Sequence, residues 1–542
     1  MKDRTVLVLI LFLAFSLRFW KLGSYPAINA DEASIGYDAY SLIQTGRDQH
    51  GNSWPIHFQS FNDYKPGLYI YLVIPFVKLL GLTEWAVRIP GALTGVITVW
   101  VLYLLVKEVF GKKDYSLATI ASFLLAISPW HVHFSRGGWE VNVATLFIVM
   151  GVLFFLKSLK TPRYFVVSSL LFVLSLYAYH SARVITPLLV FGLLLIHKRD
   201  ALVRWKYLMA SFVIGILLLV PLARELFGPA GVSRAAGVGL LADMGPVSRV
   251  EEQRIEHGDY KSWSARLVHN KVVNYGLAFL NNWGEHFWGE FLFLSGDEIQ
   301  RDRVPETGQF YLFQLPLLLT GLWFFAKRFD KNKAFILWWL AISPAAAALT
   351  FQSPHALRAQ TMVVPLTIIS AYGLVKVFEV LKIYAVYVLR VSCLVLLFSL
   401  IVWEFLRYEH MYWVHMAKEY PYSSQYGVKE LVDYIKNDSN EYDSIIVTDR
   451  YDQPYILFLF YLQYPPQEFQ KDHTLTARDG YGFSTVREFS NYKFESVKFE
   501  EMRKNNPNSL IIGTDSEIPE DVIIVKDIYG SNGFRYFKVV RN

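Results

Sequence analysis

Cysteine is almost absent from this chain of 542 residues: there is one, Cys393, inside an apolar run. That excludes a disulfide framework and any cysteine-based metal site, and it makes Cys393 a packing residue. Charge is scarce as well. Asp, Glu, Lys and Arg make up 18% of the chain against 53% hydrophobic residues, a balance that soluble proteins of this length do not show. The chain has no glycine-rich phosphate loop, no His-Glu-x-x-His pair, no internal repeat and no low-complexity linker. The formal charge of +6 comes from Lys and Arg gathered in short loops between apolar runs, which is how membrane proteins set orientation and is no nucleic-acid footprint.

What is abundant is apolar sequence in long runs. "TVLVLILFLAFSLRFW" and "YAVYVLRVSCLVLLFSLIVWEFL" are long enough to cross a bilayer. The first is followed by "KLGSYPAINADE" without a small-residue cleavage site, so it reads as an anchor and not a removable leader. Hydrophobic runs place about eleven spans, near 5–20, 85–110, 114–134, 139–157, 163–181, 183–197, 206–226, 309–326, 334–351, 357–381 and 384–406. The apolar stretch "PGLYIYLVIPFVKLLG" (66–81) is short and rich in Tyr, Pro and Phe. Keeping it in the interface puts Lys2, Arg4, Lys112, Lys113, Lys157 to Arg163, Lys198 to Lys206 and Lys327 to Lys333 all on the cytoplasmic side, as the positive-inside rule requires.

The expected architecture is therefore a polytopic α-helical membrane protein, residues 1–406, with a small extracytoplasmic α/β domain, residues 407–542. The N-terminus is cytoplasmic. Exterior loops cover 21–84, with two interfacial helices, and 227–308. In the tail "GVKELVDYIK" has helical periodicity, and "DSIIVTD", "SLIIGTD", "DVIIVKDIY" and "FRYFKVV" read as strands, the last two joined by the hairpin "YGSNGF".

With that topology, ionisable residues collect at one leaflet. They are Asp31, Glu32, Lys65, Arg88, His131, His133, Arg136, Glu140, His180, Arg183, His355 and Arg358, each at the exterior end of a span or in the first exterior loop. Each has an ordinary explanation taken singly. Asn29 with Glu32 makes a capping box, and first-turn acids complement a helix dipole, with Ile35, Ala39, Leu42 and Ile43 on one face and Gly46 as the stop. Lys and Arg at span ends snorkel. His131 and His133 alone do not make a metal site. Together, charges at membrane depth mark a functional cavity. One carboxylate to accept a proton, several cations for a departing phosphate, and aromatic surface for a lipid and a sugar ring suit a lipid-phosphate sugar donor.

The stretches "NADEASIGYDAYSLIQTGRD", "NDYKPGLYIYL" and "SPWHVHFSRGGWE", with "HALRAQTMVVPL" further on, closely resemble the bacterial relatives of protein O-mannosyltransferases, among them the transferase that adds aminoarabinose to lipid A. These are C-type (GT-C) membrane glycosyltransferases. The resemblance implies transfer of a sugar from a polyprenyl-phosphate donor to an extracytoplasmic protein, lipid or glycan, by inversion and without a metal or other cofactor, in the cell membrane. It implies that Asp31 is the base or acceptor-positioning acid, with Glu32 beside it, and that Lys65 contacts the donor phosphate. Arg136 and Glu140 match an Arg-acid pair, with altered spacing. Arg88, His133, His180, Arg183 and Arg358 complete the expected donor-binding set. A lipid-linked glycan ligase or polymerase is the nearest alternative. A lipid-sugar flippase would need paired repeats, broken helices and midplane charges, against a single rim of charge and no repeat in the sequence, and a non-catalytic scaffold would have no reason to keep Asp31, Lys65 and Arg136 together.

Overall fold

The structure, a computed structural model, describes residues 2–61, 63–111, 115–228, 239–437, 441–477 and 484–542. Lys112 and Lys113, which weigh in the charge argument above, lie outside them. Helices occupy the apolar runs in order: α1 (Lys2–Phe19), α2 (Ala30–Thr45), α3 (Leu68–Leu80), α4 (Glu84–Phe110), α5 (Tyr115–Ile127), α6 (Pro129–Ser135), α7 (Glu140–Ser158), α8 (Tyr164–Ala178), α9 (Ala182–Ile196), a short α10 (Lys198–Leu202) and α11 (Trp205–Leu226). Later come helices Gln314–Lys327, Lys331–Ile342, Val363–Tyr384 and Tyr387–His410.

Among the described residues five helical stretches are long and apolar enough to cross a membrane, and a sixth joins them if α5 and α6 count as one bent span. The expected continuous span 114–134 is in fact broken, with α5 and α6 meeting at 57°. The cause is Pro129: it has no N–H to continue the ladder, and its ring disfavours helical geometry at Ser128. Apolar side chains such as Phe212, Leu217, Leu396, Phe398 and Trp403 stand exposed along the spans. Water would not tolerate so much apolar surface, and lipid does.

The chain divides into two compact units. One holds residues 1–18, 91–135 and 139–411. In it α7 packs on α8, and helix Gln314–Lys327 packs on Val363–Tyr384. The latter contact is close because Gly321 and Gly373 stand where a Cβ would strike the facing backbone.

The other unit holds residues 19–90, 136–138 and 412–542. Its core element is a six-stranded sheet in the order β4-β5-β3-β6-β8-β7. The strands are β3 (Ser444–Val447), β4 (Glu488–Phe489), β5 (Tyr492–Phe494), β6 (Ser509–Gly513), β7 (Lys526–Tyr529) and β8 (Arg535–Arg541). β3 runs parallel to β5 and β6, and β8 returns antiparallel to β6 and β7. Ile446, Ile511 and Val540 meet Phe499, Met502 and Ile518 in its core. The β7–β8 hairpin falls at "YGSNGF" as expected, but β7 starts only at Lys526, with Ile523 left 86% exposed before it. A short edge strand limits pairing with other chains.

Two helices lie in 21–84, α2 and α3. Between them lies an unexpected hairpin, β1 (His57–Ser60) against β2 (Asp63–Pro66), with Phe58 opposite Lys65. α2 packs on α3 and on the helices Pro454–Leu462 and Pro466–Asp472.

Candidate functional site

The site is built from the first turn of α2. Asn29 Oδ1 accepts the Glu32 N–H (3.0 Å), and the Asn29 N–H donates to Glu32 Oε2 (3.3 Å). This reciprocal pair satisfies two backbone donors that a helix start otherwise orphans. Gly46, at φ 69°, ends the helix in a left-handed turn that side chains disfavour. With the start fixed, successive residues point about 100° apart around the axis, so Asp31 and Glu32 face different surroundings.

Glu32 is 2% exposed. Arg88 donates Nε–H to its Oε1 and Nη2–H to its Oε2, both at 2.7 Å, and the Gly138 N–H adds a third bond at 2.7 Å. Arg88 spends its other three N–H groups on the carbonyls of Leu22 (3.0 Å), Pro26 (2.8 Å) and Ala27 (3.0 Å). A guanidinium has five N–H donors, and all five are used. Arg88 was expected to contact a donor phosphate. The geometry departs from that expectation because nothing is left to donate, and Glu32 is likewise committed as the acidic half of a buried brace.

Asp31 keeps 28% of its side chain exposed, and Lys65 Nζ lies 2.8 Å from its Oδ1 and 3.3 Å from its carbonyl oxygen. Lys65 is delivered by β2 and sits 5.4 Å from the Phe61 ring centroid. Farther along the same face of α2, Ser34 hydrogen bonds Ser60 of β1 (3.0 Å), tying helix to hairpin. Asp38, fully buried, accepts from the Gln49 backbone and side chain. Burial, with Asp48 nearby, pushes its carboxyl well above the usual range. Arg136 is 1% exposed. It donates to the Tyr412 hydroxyl (2.9 Å) and to the carbonyls of Trp20 (2.7 Å) and Tyr25 (3.2 Å), and its guanidinium lies 5.3 and 4.7 Å from the ring centroids of Tyr412 and Trp413. This unit thus gathers Asp31, Glu32, Lys65, Arg88 and Arg136.

The remaining expected residues belong to the helical unit. His131, on α6, accepts at Nδ1 from Arg18 of α1 (2.7 Å), which also donates to the Leu125 and Ala126 carbonyls. His133 Nε2 bonds the Arg301 carbonyl (2.9 Å). Glu140 opens α7 and is 8% exposed. Arg183 donates to His180 Nδ1 (2.9 Å) and to the Leu176 carbonyl (3.3 Å). Arg358 donates to the Thr350 hydroxyl (2.6 Å) and the Gln352 amide oxygen (3.2 Å). Sequence reasoning missed Arg18, Tyr412 and Trp413. The arginine could have been noticed as the one charge near the end of the first apolar run, whereas the aromatic pair looks like ordinary interfacial belt.

A sequence family described as dolichyl-phosphate-mannose-protein mannosyltransferase matches residues 64–237. Two candidate mannosyltransferases of Bacillus subtilis (strain 168) are similar over short stretches: YycA, 30% identical over 99 residues, and YkcB, 32% identical over 85. These stretches cover 18% and 16% of this chain, and span only 14% and 12% of the length of those relatives. Among solved structures, ArnT from Cupriavidus metallidurans bound to undecaprenyl phosphate superposes with a TM-score of 0.51 at 12% identity, covering 99% of this chain and 97% of that one. The oligosaccharyltransferase AglB from Archaeoglobus fulgidus, in complex with an inhibitory peptide and a dolichol-phosphate, superposes with a TM-score of 0.51 at 14% identity, covering 85% of this chain and 64% of that one. The resemblance to C-type membrane glycosyltransferases thus extends to the fold.

Proposed function

We propose that this chain is a membrane glycosyltransferase that moves a sugar from a polyprenyl-phosphate donor to an acceptor on the outer face of the cell membrane. The observation that carries the reading is the Asp31–Lys65 pair, 2.8 Å apart at the start of a capped helix, an acid and a cation held by two different elements. In a single displacement the acceptor hydroxyl or amine attacks the anomeric carbon, its proton passes to Asp31, and the bond from that carbon to the phosphate oxygen breaks, releasing polyprenyl phosphate with inversion. Lys65 supplies positive charge where the phosphate gains negative charge, a task that needs no metal, and Arg136, buried among Tyr412 and Trp413, adds its charge to the same unit with its Nε and Nη2 donors already committed. Glu32 and Arg88 serve as the brace that fixes the turn carrying Asp31. Donor contacts by His133, Glu140, His180, Arg183 and Arg358 are kept on the resemblance alone. The eleven-span count and the division at residue 407 rest on the hydrophobic runs and loop charges of the sequence.

Lys65→Ala is the test. A charge-assisted hydrogen bond to phosphate is worth about 1.5–3 kcal/mol, so kcat/KM for the lipid-phosphate donor should fall by roughly one to two decades, while Lys331→Ala, an exposed lysine assigned to the cytoplasmic side, leaves it unchanged. Equal rates for Lys65→Ala and the unaltered protein would remove Lys65 from the donor site.

Orientation has its own test. In a Cys393→Ser background, a cysteine at Asp433 should react with an impermeant reagent outside intact cells, and one at Lys331 should not. Exterior labelling at 331 would invert the topology.

A further inference from the structure

We infer that Asp297, Asp302 and His355 form a binding site for one divalent transition ion of the zinc or manganese class. Their donor atoms all lie within 4.8 Å of one another, and the residues are 0%, 2% and 4% exposed. The decisive atom is His355 Nδ1. It is buried and has no hydrogen-bond partner, yet it points between the two carboxylates, 3.5 Å from Asp297 Oδ2 and 3.6 Å from Asp302 Oδ2. Those distances are too long for a charge-assisted hydrogen bond, which closes to about 2.7–2.9 Å. They are close to the edge of a tetrahedron whose corners lie about 2.0–2.2 Å from a central ion. A buried imidazole nitrogen left unpaired is costly, and a cation between the three atoms satisfies it.

The surroundings fix the ligands rather than compete for them. The backbone N–H of His355 donates to His286 Nε2 (3.1 Å), and His286 Nδ1 is spent on the Asn282 carbonyl (2.8 Å), so His286 is a brace and not a ligand. The Ile299 N–H holds Asp297 Oδ1 (2.9 Å), and the Ala356 N–H bonds Asp297 Oδ2. Such outer bonds orient ligating atoms. Two carboxylates and one imidazole suit zinc or manganese. Magnesium and calcium favour oxygen alone.

The ion would clamp the exterior segment around 297–302 to the segment that precedes the late span at Gln360–Tyr384. α6 is docked on both pieces: His133 bonds the Arg301 carbonyl, and Trp130 Nε1 donates to the Ala356 carbonyl (3.0 Å). The role is structural, and it stands independently of the transfer reading.

The test uses the full-length protein in detergent, stripped with a chelator and desalted. Titration calorimetry should give one equivalent of Zn²⁺ or Mn²⁺ bound, with Mg²⁺ at least tenfold weaker, and a melting temperature that rises on loading. Losing an outer-shell partner weakens metal sites about 10- to 100-fold, so His355→Gln and Asp302→Asn, which lose a ligand, should each weaken binding about 100-fold or more. The visible spectrum of the Co²⁺-loaded unaltered protein should report a nitrogen-containing, low-coordinate site, a readout that needs no variant. Absence of stoichiometric binding, or binding unchanged in both variants, overturns the site. So does a fall in melting temperature in His355→Gln of a protein that no ion stabilises, because that describes a metal-free imidazolium brace.

Discussion

Asp31→Asn should lower sugar transfer by about two to four decades while leaving the protein folded. A positioned general base contributes that much to rate, and the amide removes proton-accepting capacity while keeping size and shape. The structure separates the two effects that usually confuse such a test. The helix start is capped by Asn29 and Glu32, so Asp31 is not a capping residue, and its side chain is 28% exposed. Loss of its charge from the first turn of α2 should cost about 0.3–1 kcal/mol, and loss of the partly exposed pair with Lys65 about 1 kcal/mol more. Turnover of a defined lipid-phosphate sugar and thermal unfolding in the same preparation give both numbers. Near-normal turnover by a well-folded Asp31→Asn protein would end the catalytic reading. A large loss of stability would instead make Asp31 part of the scaffold.

Arg88→Met should do the reverse, acting on the fold before the chemistry. The substitution leaves the Glu32 carboxylate at 2% exposure facing an apolar side chain, and it releases three backbone carbonyls between residues 22 and 27. Removing one partner of a buried ion pair costs about 3–5 kcal/mol, a large share of the 5–15 kcal/mol that holds a typical domain together. The expected result is a strongly lowered melting temperature and poor recovery from the membrane. Arg88→Lys should rescue little, because three donors on a flexible stem cannot replace five on a plane. Unaltered melting of Arg88→Met would mean that the brace contributes nothing to stability.

The same pair explains which parts of the molecule could be read from sequence. Asn29, Glu32 and Gly46 were legible because a capping box and a left-handed stop are local: donor and acceptor lie within a few residues. The β7–β8 hairpin was legible for the same reason. The partners of Arg88 were not legible, because a sequence displays charge and not partners, and its carbonyl acceptors lie 61 to 66 residues away. β4 and β5 were missed because strands of two and three residues, joined through Ser490 and Asn491, are too short to show an alternating pattern. The burial of Asp297 and Asp302 was hidden in "GDEIQRDR", which looks like solvated charge until the fold buries two of its members. The break at Pro129, by contrast, was written in the chain and overridden by the length of the apolar run.

That break has a cost which the helical unit visibly meets. Ending α5 at Ile127 strips its last carbonyls of their helical partners in a region where water is scarce. Arg18 takes the Leu125 and Ala126 oxygens, and the Tyr311 hydroxyl takes that of Ile127 at 2.7 Å. Two residues, one 111 positions before the proline and one 182 after it, therefore take up the three carbonyls that the broken helix leaves behind. A relative that replaces Pro129 with a residue able to continue the helix would need the buried arginine at position 18 only for its bonds to Ala14 and His131, so substitutions at the two positions are expected to be coupled.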